Sequence, residues 1–131
     1  MNQTLTSCIE NAEAKALATY GPADVNVVPV SMIKVQPDGS IWLFDFFMNK
    51  TVENIQANNA VALTCWSGMT GVQVKATTRY LTNGTEFTEA VAWVATQNPD
   101  RVVKGLLELT PTEVHDISPG GGFSAADLQL S

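Results

Sequence analysis

The strongest constraint on the fold of this chain is an apolar run that leads directly into a polar segment. The run Ile41–Phe46 begins with Ile-Trp-Leu-Phe, apolar at successive positions, so a strand here would be buried on both faces. Asn49–Thr51 follows, and then Val52 and Ile55 lie three residues apart, as on one face of a helix that ends near Asn58. The sequence therefore predicts a central or interface strand that leads into a helix N-terminus.

The junction between this strand and this helix has the chemistry of an anion site. Unpaired backbone N–H groups and the positive end of the helix dipole favour an anion by about 0.3–1 kcal/mol. Lys50 adds a full charge and Thr51 a hydroxyl, which suits a phosphate group without any glycine-rich loop. The alternative interpretation is that Lys50 is a solvated surface lysine and that Asn49 or Thr51 only caps the helix.

The other elements follow from apolar periodicity and turn residues, which predict five or six strands with short helices between them. An amphipathic helix covers Leu5 to Ala14, and a second helix begins near Thr85. The predicted strands are Val25–Val35, Ile41–Phe46, Ala60–Trp66, Val72–Tyr80 and Val102–Leu109, with Val114–Ile117 extending the pairing. Asp38-Gly39 is a hairpin turn, and such turns are typical of a small antiparallel barrel with helices at its ends.

Three further segments have sequence features that predict their local structure. Pro29 interrupts the longest predicted strand and has no N–H for a ladder, so its backbone lies at a sheet edge, at a bulge, or against something other than a strand. Ser67–Gly71 is predicted to be a flexible loop. Val72–Tyr80 alternates cleanly, with Gln73 and Lys75 on its outward side, which is either a solvated face or the border of a ligand and a partner.

Composition and charge exclude several function classes. The net charge of −6 argues against nucleic-acid binding. No apolar run reaches the ~18 residues of a membrane span and no export signal opens the chain, so a cytoplasmic protein without membrane attachment is expected. No metal site is predicted, because Cys8, Cys65 and His115 are too few and too scattered. Cys65 fits a buried strand position, whereas Cys8 fits either core or surface.

The order of these elements resembles the split-barrel FMN-binding family, which contains pyridoxamine 5'-phosphate oxidase-like proteins and small bacterial FMN-binding proteins. The resemblance covers about residues 14 to 115 and is carried by Val27–Ser31, Asp38-Gly39, Asn49–Thr51, Asn54-Ile55, Val61–Leu63, Gly71–Tyr80 and Asn83-Gly84. It implies a mainly β protein, a six-stranded antiparallel split β-barrel with short flanking helices. We expect a single domain over residues 1–131, in which the conformation of the tail from about 118 stays open.

The same resemblance implies a flavoprotein with FMN at the interface of a homodimer. Its phosphate would lie at Lys50 and Thr51 and its ring along Val28 to Ser31. The implied cofactor-binding residues are Val28, Pro29, Val30, Ser31, Phe46, Met48, Asn49, Lys50, Thr51 and Gln73. Trp66 and Trp93 are candidates either to border the ring or to fill the core.

The reaction is less defined than the cofactor. FMN would carry the electrons, with a nicotinamide or a protein as donor, and no catalytic residue is assigned. The chain is shorter than true pyridoxamine phosphate oxidases and lacks the C-terminal arginine and histidine pair expected to hold their substrate, so that oxidase activity is not expected. An oxidoreductase and an electron carrier both remain open, and the alternative from another class is a flavin-free dimeric split-barrel binding module.

Overall fold

A computed structural model describes residues 1–130 and contains seven strands and three helices. In chain order the elements are α1 (Gln3–Asn11), β1 (Ala14–Thr19), β2 (Asn26–Pro29), β3 (Ile33–Val35), β4 (Ile41–Asp45), α2 (Lys50–Ala57), β5 (Ala60–Ser67), β6 (Thr70–Leu81), α3 (Thr85–Gln97) and β7 (Gly105–Asp116). All strand pairs are antiparallel, in the order β2-β1-β5-β6-β7-β4-β3.

The sheet curls around a single main core. Leu17 from β1 and Ile33 from β3 lie near opposite edges of the sheet, yet both belong to the same buried apolar cluster. The sheet must therefore bend into a half-barrel that brings its two edges around this core. The predicted mainly β, antiparallel split barrel with short flanking helices is confirmed, with seven strands in place of six.

The additional strand arises because Val25–Val35 is not one continuous strand, and the prediction of a single strand there is wrong. Its first part is β2, which pairs with β1, and its last part is β3, which pairs with β4 at the other edge of the sheet. Pro29 ends β2, and the chain crosses between the two edges over residues 30–32. A proline has no N–H to extend a ladder, so the strand ends there and the chain is free to cross.

Other differences concern strands that the sequence pattern did not define. β1 was not predicted because it is rich in alanine, which has low strand propensity; pairing with β2 and β5 on both sides overrides that preference. β7 begins at Gly105 instead of Val102 and is continuous past Pro111, where Thr112 forms a bulge: Lys75 of β6 pairs with Glu113 and Ala76 pairs with Pro111. The predicted flexible loop Ser67–Gly71 is instead a tight turn, since Ser67 pairs with Thr70.

β4 is buried on both faces, as predicted. Ile41 and Leu43 belong to the main core, while Trp42 and Phe44 pack with Ala90 and other residues of α3 in a second cluster. The strand therefore packs between the two apolar clusters, and this packing on both faces fixes the position of its C-terminal end. No helix described for residues 1–130 has the length and apolar character needed to cross a membrane.

The C-terminal tail folds back onto the barrel. Phe123, Leu128 and Leu130 pack against the main core. The carboxylate of Asp116 accepts the N–H groups of Gly122 (2.7 Å), Ser118 (2.9 Å) and Phe123 (3.0 Å), which fixes the turn that starts the tail. These hydrogen bonds, led by that of Gly122, lower the pKa of Asp116 from 3.8 to about 2.

This lowered pKa predicts an acid-sensitive contribution to stability. A depressed pKa in the folded state stabilises the protein above pH 3.8, and the effect is lost as the pH falls towards 2. Replacing Asp116 with Asn should lower Tm at pH 7, and the difference from the wild type should shrink between pH 4 and pH 2. Circular dichroism melts over this range provide the measurement, with Asp100→Asn on an exposed turn as the control. A difference in Tm that stays constant with pH would contradict the assignment.

Candidate functional site

A groove of about 840 Å³ lies where three segments of the chain meet. These are β2 with the crossing segment, the end of β4 with the start of α2, and the connection from α3 to β7. All of the predicted binding residues except Gln73 line this groove, namely Val28, Pro29, Val30, Ser31, Phe46, Met48, Asn49, Lys50 and Thr51. The fold thus brings together two sequence segments that were proposed separately as ring and phosphate sites.

Gln73 and the two tryptophans lie elsewhere. Gln73 is in β6, opposite Thr64 and His115, and does not line the groove of its own chain. Trp93 stacks on the Phe44 ring with centroids 5.4 Å apart. Trp66 borders a separate small cavity beside the β5–β6 turn. Neither tryptophan lines the groove, and Trp93 packs against the second apolar cluster.

At one end of the groove, α2 begins at Lys50. The Asn49 side chain makes no capping hydrogen bond, and the first-turn N–H groups before Glu53 point out of the helix end. Thr51 is buried, and its Oγ1 accepts a hydrogen bond of 2.9 Å from the side-chain amide of Asn26. The hydroxyl of Thr51 thereby keeps its own proton to donate. This end offers backbone N–H groups, a hydroxyl donor and the exposed ammonium of Lys50.

A buried amide fixes α2 against the first hairpin. Asn54 is fully buried; its Nδ2 donates to Thr19 Oγ1 (3.1 Å) and to the Asp24 carbonyl (2.8 Å), and its Oδ1 accepts the N–H of Ala23 (2.8 Å). A Cβ on Gly21 would lie only 3.0 Å from the side-chain oxygen and Cα of Asn54, so any other residue there would push the hairpin loop and α2 slightly apart. The start of α2 is therefore held at a fixed distance from β2.

A second buried polar pair holds the turn between β4 and α2. The carboxylate of Asp45 accepts the N–H of Met48 at 2.7 Å and the hydroxyl of Tyr80 at 2.5 Å. Burial, followed by the hydrogen bond to Asp45, raises the pKa of Tyr80, so its proton stays in place. A Cβ on Gly105 would overlap the Tyr80 ring, so only glycine lets β7 pass this close.

The opposite end of the groove contains a cation that the sequence patterns did not identify. The guanidinium carbon of Arg101 lies 4.6 Å from the centroid of the Phe46 ring, and its Nη1 donates to Ser31 Oγ at 3.4 Å. Asn26, Phe44 and Phe47 also line the groove without having been predicted. Arg101 follows the turn that ends α3, and nothing in its local sequence indicates that it reaches β2.

The thiols take no part in this site. Burial raises the pKa of Cys65 to about 12 and also raises that of Cys8, so both remain protonated and poorly nucleophilic. The position of Cys65 in the core was predicted correctly, and Cys8 is partly buried. Within residues 1–130, no group of three or more His, Cys, Asp or Glu side chains is arranged to hold a metal ion.

Comparison with known proteins identifies the family. A family model described as pyridoxamine 5'-phosphate oxidase matches residues 1–118. The chain belongs to the pyridoxamine 5'-phosphate oxidase family. This membership confirms the split-barrel family inferred from Val27–Ser31 and the Asn49–Thr51 junction. No curated protein sequence matches the chain.

Solved structures share the fold of this pyridoxamine 5'-phosphate oxidase family member over nearly their whole length. HupZ from Group A Streptococcus superposes with a TM-score of 0.81 at 17% identity, covering 95% of this chain and 99% of that one. An FMN-binding protein from Syntrophomonas wolfei gives 0.77 at 17% identity, covering 89% and 86%. A protein from Lactobacillus delbrueckii assigned to pyridoxamine 5'-phosphate oxidase gives 0.74 at 19% identity, covering 88% and 93%. At these identities the likeness concerns the fold.

The Asp45–Tyr80 hydrogen bond generates a stability prediction. Replacing Tyr80 with Phe leaves one oxygen of a carboxylate that is only 2% exposed without its partner. An unsatisfied buried acceptor costs about 1–3 kcal/mol, so the free energy of unfolding should fall by that amount. Urea denaturation measures the change, and Tyr20→Phe, at an exposed position, is the matched control. Equal stability of the two variants would show that the Asp45 carboxylate does not need the Tyr80 hydroxyl.

Proposed function

We propose that this protein binds FMN in the groove and acts as a flavin-dependent oxidoreductase or electron carrier. The observation that carries the proposal is that the anion-binding end at Lys50 and Thr51 and the apolar wall Val28–Val30 line the same cavity. The volume of about 840 Å³ lies in the range of roughly 300–1,000 Å³ that is usual for cofactor sites. Membership of the pyridoxamine 5'-phosphate oxidase family and an FMN-binding structural neighbour support the same choice.

The phosphate end is the best-defined part of the proposed site. A terminal phosphate there meets the Lys50 ammonium, the Thr51 hydroxyl and the unpaired N–H groups of the first turn of α2. Asn26 orients the Thr51 hydroxyl as a donor, and Asn54 fixes the helix that presents it. These residues bind and orient a phosphate that carries negative charge on its oxygens.

The ring end is mainly apolar. Val28 and Val30 from one segment and Phe44 and Phe46 from another line the groove, which provides apolar surface for a planar ring. β2 is an edge strand, so the backbone groups that point away from β1 are available to the polar edge of a flavin. When bound, FMN supplies the two-electron chemistry, while these residues orient its ring and limit the access of water.

The proposed flavoprotein has two alternative functions, a reductase or an electron carrier, and its electron donor is a nicotinamide or a protein. Stopped-flow reduction of the loaded protein by NADH or NADPH distinguishes them. The alternative, a flavin-free binding module, predicts a colourless protein without the absorbance band near about 450 nm that an oxidised flavin gives. A cytoplasmic location accords with the thiols of Cys8 and Cys65, which form no disulfide and suit a reducing compartment.

Titration of the apoprotein with FMN and riboflavin tests the phosphate end. A charge-assisted hydrogen bond contributes about 1.5–3 kcal/mol, so Lys50→Ala should weaken FMN binding about tenfold to a hundredfold. Riboflavin has no phosphate and should bind the wild type about a hundredfold more weakly than FMN, with no further loss in Lys50→Ala. Fluorescence quenching measures the four dissociation constants.

Lys75→Ala is the matched control, since this exposed lysine on β6 does not line the groove and its loss changes the net charge equally. If riboflavin binds the wild type as tightly as FMN, the junction is not a phosphate site. If Lys50→Ala weakens FMN and riboflavin equally, Lys50 acts on something other than the phosphate.

We also propose that the protein is a homodimer in which the partner covers the groove. Large apolar side chains are exposed in the segments that border the groove: Phe47 is 83% exposed, Val102 is 76% exposed and Val27 is 61% exposed. Such an apolar rim is unfavourable in water and is typical of a surface that a partner covers. A second copy seated there would close the ring end and exclude water from it.

Light scattering tests this interface. At micromolar concentration the wild type should show a mass near twice 14.1 kDa. Val102→Glu places a charge in the rim and should shift the mass towards the monomer, because an unpaired charge in an interface is costly. Met69→Glu is the matched control: Met69 is 74% exposed but lies at the β5–β6 turn. A wild-type mass of 14.1 kDa would contradict the dimer.

A further inference from the structure

The groove has two chemically different ends, which lie at the beginning of β2 and just beyond its end. Asn26, at the start of β2, donates to Thr51, which places this end beside the N-terminus of α2. Five residues further along the chain, Ser31 accepts a hydrogen bond from Arg101. The chain between them stays extended as far as Val30, whose N–H still pairs with β1. At a rise of about 3.3 Å per residue, the two ends are roughly 15 Å apart.

Arg101 is available to a ligand at its end of the groove. Within residues 1–130 its guanidinium forms no ion pair, and the only hydrogen bond of this side chain is the long one to Ser31. The neighbouring carboxylate of Asp100 is on the exposed turn and takes no part in this contact. Lys104, on the same connecting segment, lies over the Phe47 ring at 5.8 Å and does not line the groove. Arg101 is therefore the cation that this segment contributes to the groove.

We propose that Arg101 is the electrostatic partner of the flavin ring and makes bound FMN easier to reduce. The inference rests on the FMN site proposed above, in which the phosphate occupies the Lys50 end and the ring extends along Val28–Ser31 towards Arg101. It assigns Arg101 a positioning and tuning role that is separate from the affinity supplied by Lys50.

The physical reason is the change of charge on reduction. Two-electron reduction of a flavin ring, with uptake of one proton, converts a neutral ring into one with a single negative charge. A guanidinium beside the ring favours the charged form over the neutral one, and more strongly in a poorly hydrated groove than in water. Lys50, at the other end of the groove, faces a phosphate whose charge is the same in both forms, so its loss weakens the binding of oxidised and reduced FMN alike.

Reduction potentials of the FMN-loaded variants test this role. The midpoint potential is measured by dithionite titration at pH 7 against a reference dye of known potential. For Arg101→Gln we expect about a tenfold loss of preference for reduced over oxidised FMN, which is about 30 mV for a two-electron couple. The affinity for oxidised FMN, measured by quenching, should change by less than this factor.

Three further variants make the result specific. Arg101→Lys retains a positive charge and should recover most of the potential. Lys104→Gln removes a charge from the same segment outside the groove and should leave the potential unchanged. Lys50→Ala should weaken FMN binding while leaving the potential of the bound flavin at its wild-type value. Thermal melts confirm that each variant is folded.

Failure of this inference and failure of the proposed function give different results. If FMN binds but Arg101→Gln keeps the wild-type potential, Arg101 is not the partner of the ring and the FMN site stands. If Arg101→Gln weakens oxidised and reduced FMN equally, Arg101 is a general binding contact and the inference is wrong. If the wild type does not bind FMN at all, the proposed function fails and the inference fails with it.

Discussion

The candidate site depends on the crossing of the chain from one edge of the sheet to the other after Pro29. β2 and β3 are neighbours in sequence but occupy opposite edges, so residues 30–32 pass over the open side of the half-barrel. Beyond Val30, whose N–H still pairs with Lys15 of β1, the backbone has no strand beside it and must satisfy its polar groups with side chains, solvent or a ligand. The groove forms along this crossing, because α2 and the α3–β7 connection approach it without covering it.

Two buried polar networks hold the walls of the groove at fixed positions relative to each other. Asn54 ties α2 to the β1–β2 hairpin, and the carboxylate of Asp45 ties the turn after β4 to Tyr80. Within each network the buried polar groups are hydrogen-bonded to one another. Removing one of these side chains therefore leaves its partner buried without a hydrogen bond. The binding surface can remain open because its supports lie beneath it and do not depend on a ligand.

The groove contains unpaired positive charge although the protein is acidic overall. The chain has a net charge of −6, yet two of its seven lysine and arginine residues, Lys50 and Arg101, line one groove and neither forms an ion pair in residues 1–130. Apolar walls between them reduce the local hydration and so strengthen their fields. In the FMN complex proposed above, one of these cations holds the phosphate and the other acts on the ring.

The sequence by itself determined the doubly buried strand β4, the Asp38-Gly39 hairpin, the helix that starts at Lys50 and the alternation of β6. All of these are local, because periodicity and turn preference act over a few residues. Tertiary structure decided the rest. It divided Val25–Val35 between two edges, since a strand's partner is not encoded in its own pattern. It also brought Arg101 to Ser31 across 70 residues, because only the packing of α3 and β7 fixes where their connection lies.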